Sequence, residues 1–176
     1  MAKPKRKIWL IGDTHFNHDK LAQDLGRPSD YETRIWQGLK KLGKNDILIH
    51  LGDICVGEDE KINRKLGSFK FKKYLVRGNH DGKSNNWYLD RGWDFVCKEF
   101  KDKYFGHEIL FSHKPRPWER EYDFNIHGHF HNIPEKHHEE ELVKIKNDRQ
   151  ILFILEELDY KPILLEDFLQ AKALPK

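Results

Sequence analysis

The chain has 176 residues, of which 38% are hydrophobic, 12% aromatic and 35% charged. That is long enough for one domain with a buried core, and the aromatic content speaks against disorder. A net charge of only +3 does not announce a nucleic-acid binder, and no apolar run reaches the roughly 20 residues that cross a bilayer, so no membrane partner is expected.

The basic start, Lys3 to Lys7, runs into Ile8-Trp9-Leu10-Ile11, an apolar stretch too short for a signal peptide and suited to a buried strand. It delivers Gly12-Asp13-Thr14-His15. From Ser29 or Asp30 the pattern turns helical, with Ile35, Leu39 and Leu42 on one face and Gly43 at the end. Ile47 to Leu51 reads as a second strand, ending in Gly52-Asp53. A helix over Glu58 to Leu66 leads to Tyr74-Leu75-Val76 and then to Arg77-Gly78-Asn79-His80-Asp81. This alternation predicts βαβ units and a largely parallel sheet, with chemistry collected outside the carboxyl ends of the strands.

The second half loses the helical rhythm. Phe95-Val96-Cys97, Tyr104-Phe105 and Ile109-Leu110-Phe111 read as strands of an antiparallel or mixed sheet. The last of these ends in Ser112-His113, and Phe124-Asn125-Ile126 ends in His127-Gly128-His129-Phe130-His131. A charged excursion from Pro134 to Lys146 precedes a strand at Ile151 to Leu155, and a helix from Leu165 to Ala173 follows. No linker or repeat interrupts residues 1–176, so a single domain is expected. Cys55 and Cys97 form neither a disulfide framework nor a CxxC pair, and a cytoplasmic protein with reduced thiols is the plain reading.

Eleven histidines gather at the ends of these apolar runs. Carboxylates, imidazoles and an amide oxygen, without cysteine, suit divalent ions such as Mn²⁺, Fe, Zn²⁺ or Ni²⁺. Residues two apart on a strand point the same way, so Asp13 and His15, and again His129 and His131, are expected to converge. The candidates exceed what one ion takes, which favours two ions about 3.5–4 Å apart that share a carboxylate and clamp a phosphoryl group.

In order and in strand-end context, Asp13-x-His15, Gly52-Asp53, Gly78-Asn79-His80-Asp81, His113 and Gly128-His129-x-His131 resemble the calcineurin-like metallophosphoesterases. Asp13-Thr14-His15-Phe16-Asn17-His18 is similar to the opening of the small, cap-less bacterial and phage members. The resemblance covers Asp13 to His131 and implies an α/β fold of two packed mixed β-sheets flanked by helices, an αββα sandwich. It implies two divalent metals, manganese first, with Fe, Zn²⁺ or Ni²⁺ as alternatives. Asp13, His15 and His131 would hold one ion, Asn79, His113 and His129 the other, and Asp53 would bridge them. A hydroxide between the ions would attack the phosphorus. His80 would protonate the leaving oxygen or steady the phosphate charge, and Asp81 would orient His80 by accepting its other ring proton.

The expected activity is phosphoester hydrolysis, with a phosphodiesterase first. A phosphomonoesterase, a nuclease acting on DNA or RNA, and a catalytically silent scaffold are the alternatives. The partner is then a phosphoester, either a small diester or a nucleic acid. Arg77, His18, Arg116 and Arg120 are candidate substrate contacts, each balanced by a structural reading: a salt bridge for Arg77, a helix start for His18, solvated arginines beside a packed Trp118 for the others. His50 and His127 are expected to point away from the site, Cys55 to be a small buried residue, and His137-His138 to sit in a solvated loop.

Overall fold

The computed structural model describes residues 6–119, 121–133 and 139–172. Two sheets pack around one apolar core. The first holds β1 (Ile8–Ile11), β2 (Ile47–His50), β3 (Lys72–Val76), β4 (Phe95–Cys97) and β9 (Ile163–Leu164) in the order β4-β3-β2-β1-β9. Its first four strands are parallel and β9 closes the edge antiparallel to β1. The second holds β5 (Glu99–Tyr104), β6 (His107–Ser112), β7 (Phe124–His127) and β8 (Gln150–Leu152) in chain order, with β5 antiparallel to β6 and the rest parallel. The expected fold of two mixed sheets flanked by helices is therefore the one observed.

The middle strand of the first sheet, β2, is covered on both faces. All four residues of β2, Ile47 to His50, are buried, as expected of a parallel strand between neighbours. Helix α2 (Tyr31–Leu39) turns Ile35, Trp36 and Leu39 inward. Helix α3 (Asp59–Gly67) buries Ile62 and Leu66. Helix α6 (Leu165–Ala171) lays Phe168 against Phe153 with ring centroids 5.6 Å apart.

The structure corrects several boundaries. The strand expected at Tyr104-Phe105 is the end of β5, whose Glu99, Lys101, Asp102 and Lys103 conceal it from a hydrophobicity reading. It is an edge strand, where charge is the usual guard against unwanted pairing. Phe105 and Gly106, at φ 52° and 90°, make the two-residue turn into β6. The strand expected at Ile151 to Leu155 stops at Leu152, and Leu155–Leu158 form a 3₁₀ turn instead. Helices α1 (Asp19–Asp24), α4 (Asn85–Leu89) and α5 (Glu140–Lys144), and the two-residue β9, are too short for periodicity to reveal. Among the described residues no helix is long and apolar enough to cross a membrane.

Candidate metal centre

Strands β1, β2 and β3 lie side by side and parallel, so the loops leaving them emerge together. Backbone bonds continue the sheet beyond its strands, from Asp13 N to Gly52 O at 2.9 Å and from His15 N to Asp53 O at 3.0 Å. The second sheet brings His113 and the segment Gly128 to His131 to the same place: His129 N donates to both Asp13 carboxylate oxygens at 3.2 Å. Nearby residues leave no room for larger side chains at two glycines. A Cβ on Gly78 would stand 2.1 Å from Asp53 Oδ1, and one on Gly128 2.1 Å from Asp13 Oδ2.

The pairs Asp13/His15 and His129/His131 do converge, but not through a strand's pleat. Asp13, His15, Asp53, His129 and His131 have φ of 51°, 44°, 56°, 75° and 50°, the left-handed region that side chains other than Gly occupy at a cost on the order of 1–3 kcal/mol each. These turns fold the chain tightly enough to aim alternate side chains inward. Such strain concentrates where a site over-determines its backbone.

Two clusters result. In one, Asp13, His15 and His131 bring ligating atoms within 4.8 Å of one another; His15 Nε2 and His131 Nε2 stand 4.0 and 3.9 Å from Asp13 Oδ1. In the other, Asp53, His113 and His129 do the same. His113 Nε2 lies 2.9 Å from Asn79 Oδ1, 3.2 Å from His129 Nδ1 and 3.3 Å from Asp53 Oδ2. Asp53 Oδ2 also stands 3.6 Å from His15 Nε2, so this carboxylate joins the clusters. All seven ligand candidates are thus brought together, and a third grouping, His15, Asp53 and His80, puts His80 within ligating reach too.

The donor set fits divalent cations. Among the described residues both ring nitrogens of His15 and Nδ1 of His131 are buried with no hydrogen-bond partner, a costly state for polar atoms. Burial pushes the pKa of His15 down to about 2, and burial with the neighbouring His113 pushes His129 to about 4. Both imidazoles are therefore neutral, the form that coordinates. Burial disfavours a charged His113, but its hydrogen bond to Asp53 and the nearby carboxylates outweigh this and hold it near 9. Asp53 is held below the usual carboxylate range: burial opposes this, and the His113 bond prevails. Leu51 O, 2.8 Å from His113 Nδ1, fixes the ring with Nε2 toward the cluster.

Asp81 does not orient His80 as expected. Its buried carboxylate accepts from the backbone amides of Gly78, Asp53 and Ile54 at 2.8, 2.8 and 3.1 Å, and among the described residues no bond links it to the His80 ring. Geometry explains why: the carboxylate points back beneath the turn and ties the loops after β2 and β3 together. The His80 amide donates to Asp53 Oδ1 at 2.8 Å, while its ring stands 38% exposed with Nε2 4.0 Å from Asp53 Oδ2. His18 opens helix α1, as its structural reading expected, and its ring also lies beside the first cluster. Its Nδ1 accepts from Leu21 N at 3.0 Å to cap α1, and its ring sits edge-on to those of His15 and His80 at 5.6 and 5.7 Å.

Two contributing residues escape a reading of the sequence. Arg27, its side chain 0% exposed, donates to Asp13 O, Thr14 O and Glu156 Oε1 at 2.8, 3.1 and 2.6 Å. Glu156 Oε1 in turn stands 3.4 Å from His131 Nδ1, near enough for charge attraction without the alignment of a hydrogen bond. The pair braces the Asp13 loop and His131 together. The only signal was the acidic pair Glu156-Glu157 directly after the apolar run Ile151 to Leu155. Arg27→Met leaves Glu156 buried without its cation and should destabilise the metal-free protein by about 3–5 kcal/mol in urea unfolding. Arg27→Met with Glu156→Leu should recover much of this; a single-variant loss below about 1 kcal/mol would show that the pair carries no such weight.

The remaining candidates lie around the rim or beneath it. Among the described residues Arg77 forms no salt bridge and its buried Nε has no partner, while its Nη1 donates to Lys83 O at 2.6 Å. Arg116 pairs with Glu99 at 2.6 Å, and Lys114 with Glu139 at 2.7 Å. Trp118 is 41% exposed rather than packed away. Arg120, His137 and His138 lie outside the described residues. His50 is buried behind the loops, bonded to Thr14 Oγ1 and Gly52 N, and His127 to Gly128 O. Cys55 is buried.

Comparison with known proteins agrees with this geometry. The chain is 29% identical over 174 residues to the uncharacterised protein MJ1445 of Methanocaldococcus jannaschii, covering 92% of this chain and 88% of that one. The crystal structure of AQ665, a protein of unknown function from Aquifex aeolicus, superposes with a TM-score of 0.73 at 25% identity, over 95% of this chain and all of that one. A novel archaeal phosphodiesterase shows a more distant likeness, with a TM-score of 0.47 at 18% identity over 71% of this chain and 72% of that one. The sequence profile of the calcineurin-like phosphoesterases matches residues 6–173. With so much of the chain matched, it belongs to the calcineurin-like phosphoesterases.

Proposed function

We propose that the chain is a metal-dependent phosphodiesterase. The observation that carries this is the pair of clusters joined at Asp53, with buried imidazole nitrogens that have no hydrogen-bond partner among the described residues. Asp13, His15, Asp53 and His131 would hold one divalent ion, and Asp53, Asn79, His113 and His129 a second. Manganese is the first choice and Fe, Zn²⁺ or Ni²⁺ follow. Ions held there would polarise a phosphoryl oxygen and bring the pKa of a water near neutrality.

The chain's own groups divide the other tasks. His80, on the exposed rim beside Asp53, would give a proton to the departing oxygen. Asp81 keeps the turn bearing Asn79 and His80 in register with the loop bearing Asp53. His18 offers its other ring nitrogen beside His80, because Nδ1 is occupied by the helix cap. Asn79 and His80 are exposed, so the centre is open enough for a phosphate bearing a substituent on each side, which favours a diester over a monoester.

Chelation should abolish hydrolysis of a nitrophenyl diester, and Mn²⁺ should restore it. A panel of mono- and diesters with Mn²⁺, Ni²⁺, Zn²⁺ and Mg²⁺ tests the reading. Preference for monoesters would replace the diesterase with a phosphatase, and silence with every metal would end the enzymatic reading.

A further inference from the structure

Beside the second cluster lies a cavity of about 270 Å³ that shares Asn79 and His113 with it. Arg77, Lys98, Lys114 and Arg116 also line it. These four cations come from three separate segments: the loop after β3, the junction of β4 with β5, and the loop after β6. The whole chain carries a net charge of only +3, so their concentration here is local rather than a sample of a basic surface. Among the described residues the one carboxylate in the lining is Asp81, whose oxygens are taken up by backbone amides.

The cations are also available. Among the described residues Arg77 Nε has no hydrogen-bond partner, its Nη1 holding only the Lys83 carbonyl, and no hydrogen bond or ion pair engages the exposed Lys98 ammonium. Lys114 and Arg116 are paired with Glu139 and Glu99, but those carboxylates are 51% and 42% exposed. Surface pairs of this kind are weak enough to exchange for a stronger anion, and an arginine fork suits a phosphate.

We propose that this cavity is a subsite for a second phosphate, the neighbour of the scissile one in a nucleic-acid strand. The inference rests on the phosphodiesterase reading of the adjacent centre and adds the substrate class. A lone monoester or minimal diester has no group to place here, whereas a strand puts a further phosphate beside each scissile one. Recognition is by charge, so the subsite predicts strand binding without sequence preference.

Two measurements test it. The first is fluorescence anisotropy of a labelled single-stranded thymidine oligonucleotide with the full-length protein in EDTA, where nothing turns over. The second is the ratio of kcat/KM for that oligonucleotide to kcat/KM for a bis-nitrophenyl phosphate, with Mn²⁺. Lys98→Glu, a change on an exposed side chain, should weaken oligonucleotide binding at least tenfold and lower the ratio by a similar factor. Lys98→Ala should fall between it and the parent, and its log–log salt slope should flatten by roughly 0.7, the loss of one single-strand phosphate contact. Lys44→Glu, the same charge change before β2 at the far end of the sheet, should move neither measurement comparably. Equal losses on both substrates, or equal effects of Lys98→Glu and Lys44→Glu, would overturn the subsite. Oligonucleotide binding that depends on Lys98 in a protein that hydrolyses no ester would uphold the subsite while sinking the diesterase reading. Hydrolysis of small diesters with no Lys98 effect on the strand would do the reverse.

Discussion

Asp53→Asn is expected to strip metal from both clusters and to lower activity on the order of 10³-fold or more. The magnitude follows from the several kcal/mol of charge stabilisation that metal ions contribute to phosphoryl transfer, at about 1.4 kcal/mol per decade of rate. Asp53 Oδ2 is the atom that faces His113 at 3.3 Å and His15 at 3.6 Å, so it alone serves both clusters. The substitution keeps the shape and leaves an oxygen to accept the His80 amide, which reaches Asp53 Oδ1 at 2.8 Å in the parent. The fold should therefore survive while the shared negative charge is lost. His131→Ala is the control, because His131 approaches only Asp13 among the candidate ligands' carboxylates and should chiefly empty one position. Elemental analysis after dialysis checks both. Two equivalents retained by Asp53→Asn would show that this residue does not bridge.

His80→Ala should keep two metals and a near-normal Tm while kcat falls by about 10²–10⁴-fold, the range for losing a general acid. The variant retains the backbone amide that anchors the turn to Asp53, and the ring it removes is 38% exposed, so little packing is lost. The effect should follow the leaving group. A poor, alkoxide-like group needs the proton and suffers most, whereas nitrophenolate is already stable as an anion and suffers least. His80→Asn should behave like the alanine variant, since an amide cannot deliver a proton at neutral pH. A loss independent of the leaving group would mean that His80 steadies phosphate charge instead. A variant that arrives lacking one metal would make His80 a ligand, the alternative that its approach to His15 and Asp53 leaves open.

The parallel half of the fold and the grouping of the candidate ligands were legible in the sequence for one physical reason. Parallel strands covered on both faces are mostly apolar, so Ile8 to Ile11 and Ile47 to Ile49 stand out from a charged chain. The polar residues that punctuate their ends are then conspicuous. Short or guarded elements were hidden because their partners, not their own periodicity, stabilise them. Charged β5 is held by its pairing with β6, and β9 by two register contacts with β1.

What tertiary structure alone decided is how the centre is held. The convergence of Asp13 with His15 depends on left-handed turns that no side-chain alternation encodes. The brace between Arg27 and Glu156 spans 129 positions, a separation across which local sequence carries no information. Asp81 stands next to His80 in the chain, which suggested an imidazole partner. The fold turned its carboxylate toward three backbone amides instead, because buried N–H groups must be satisfied and those were the donors within its reach.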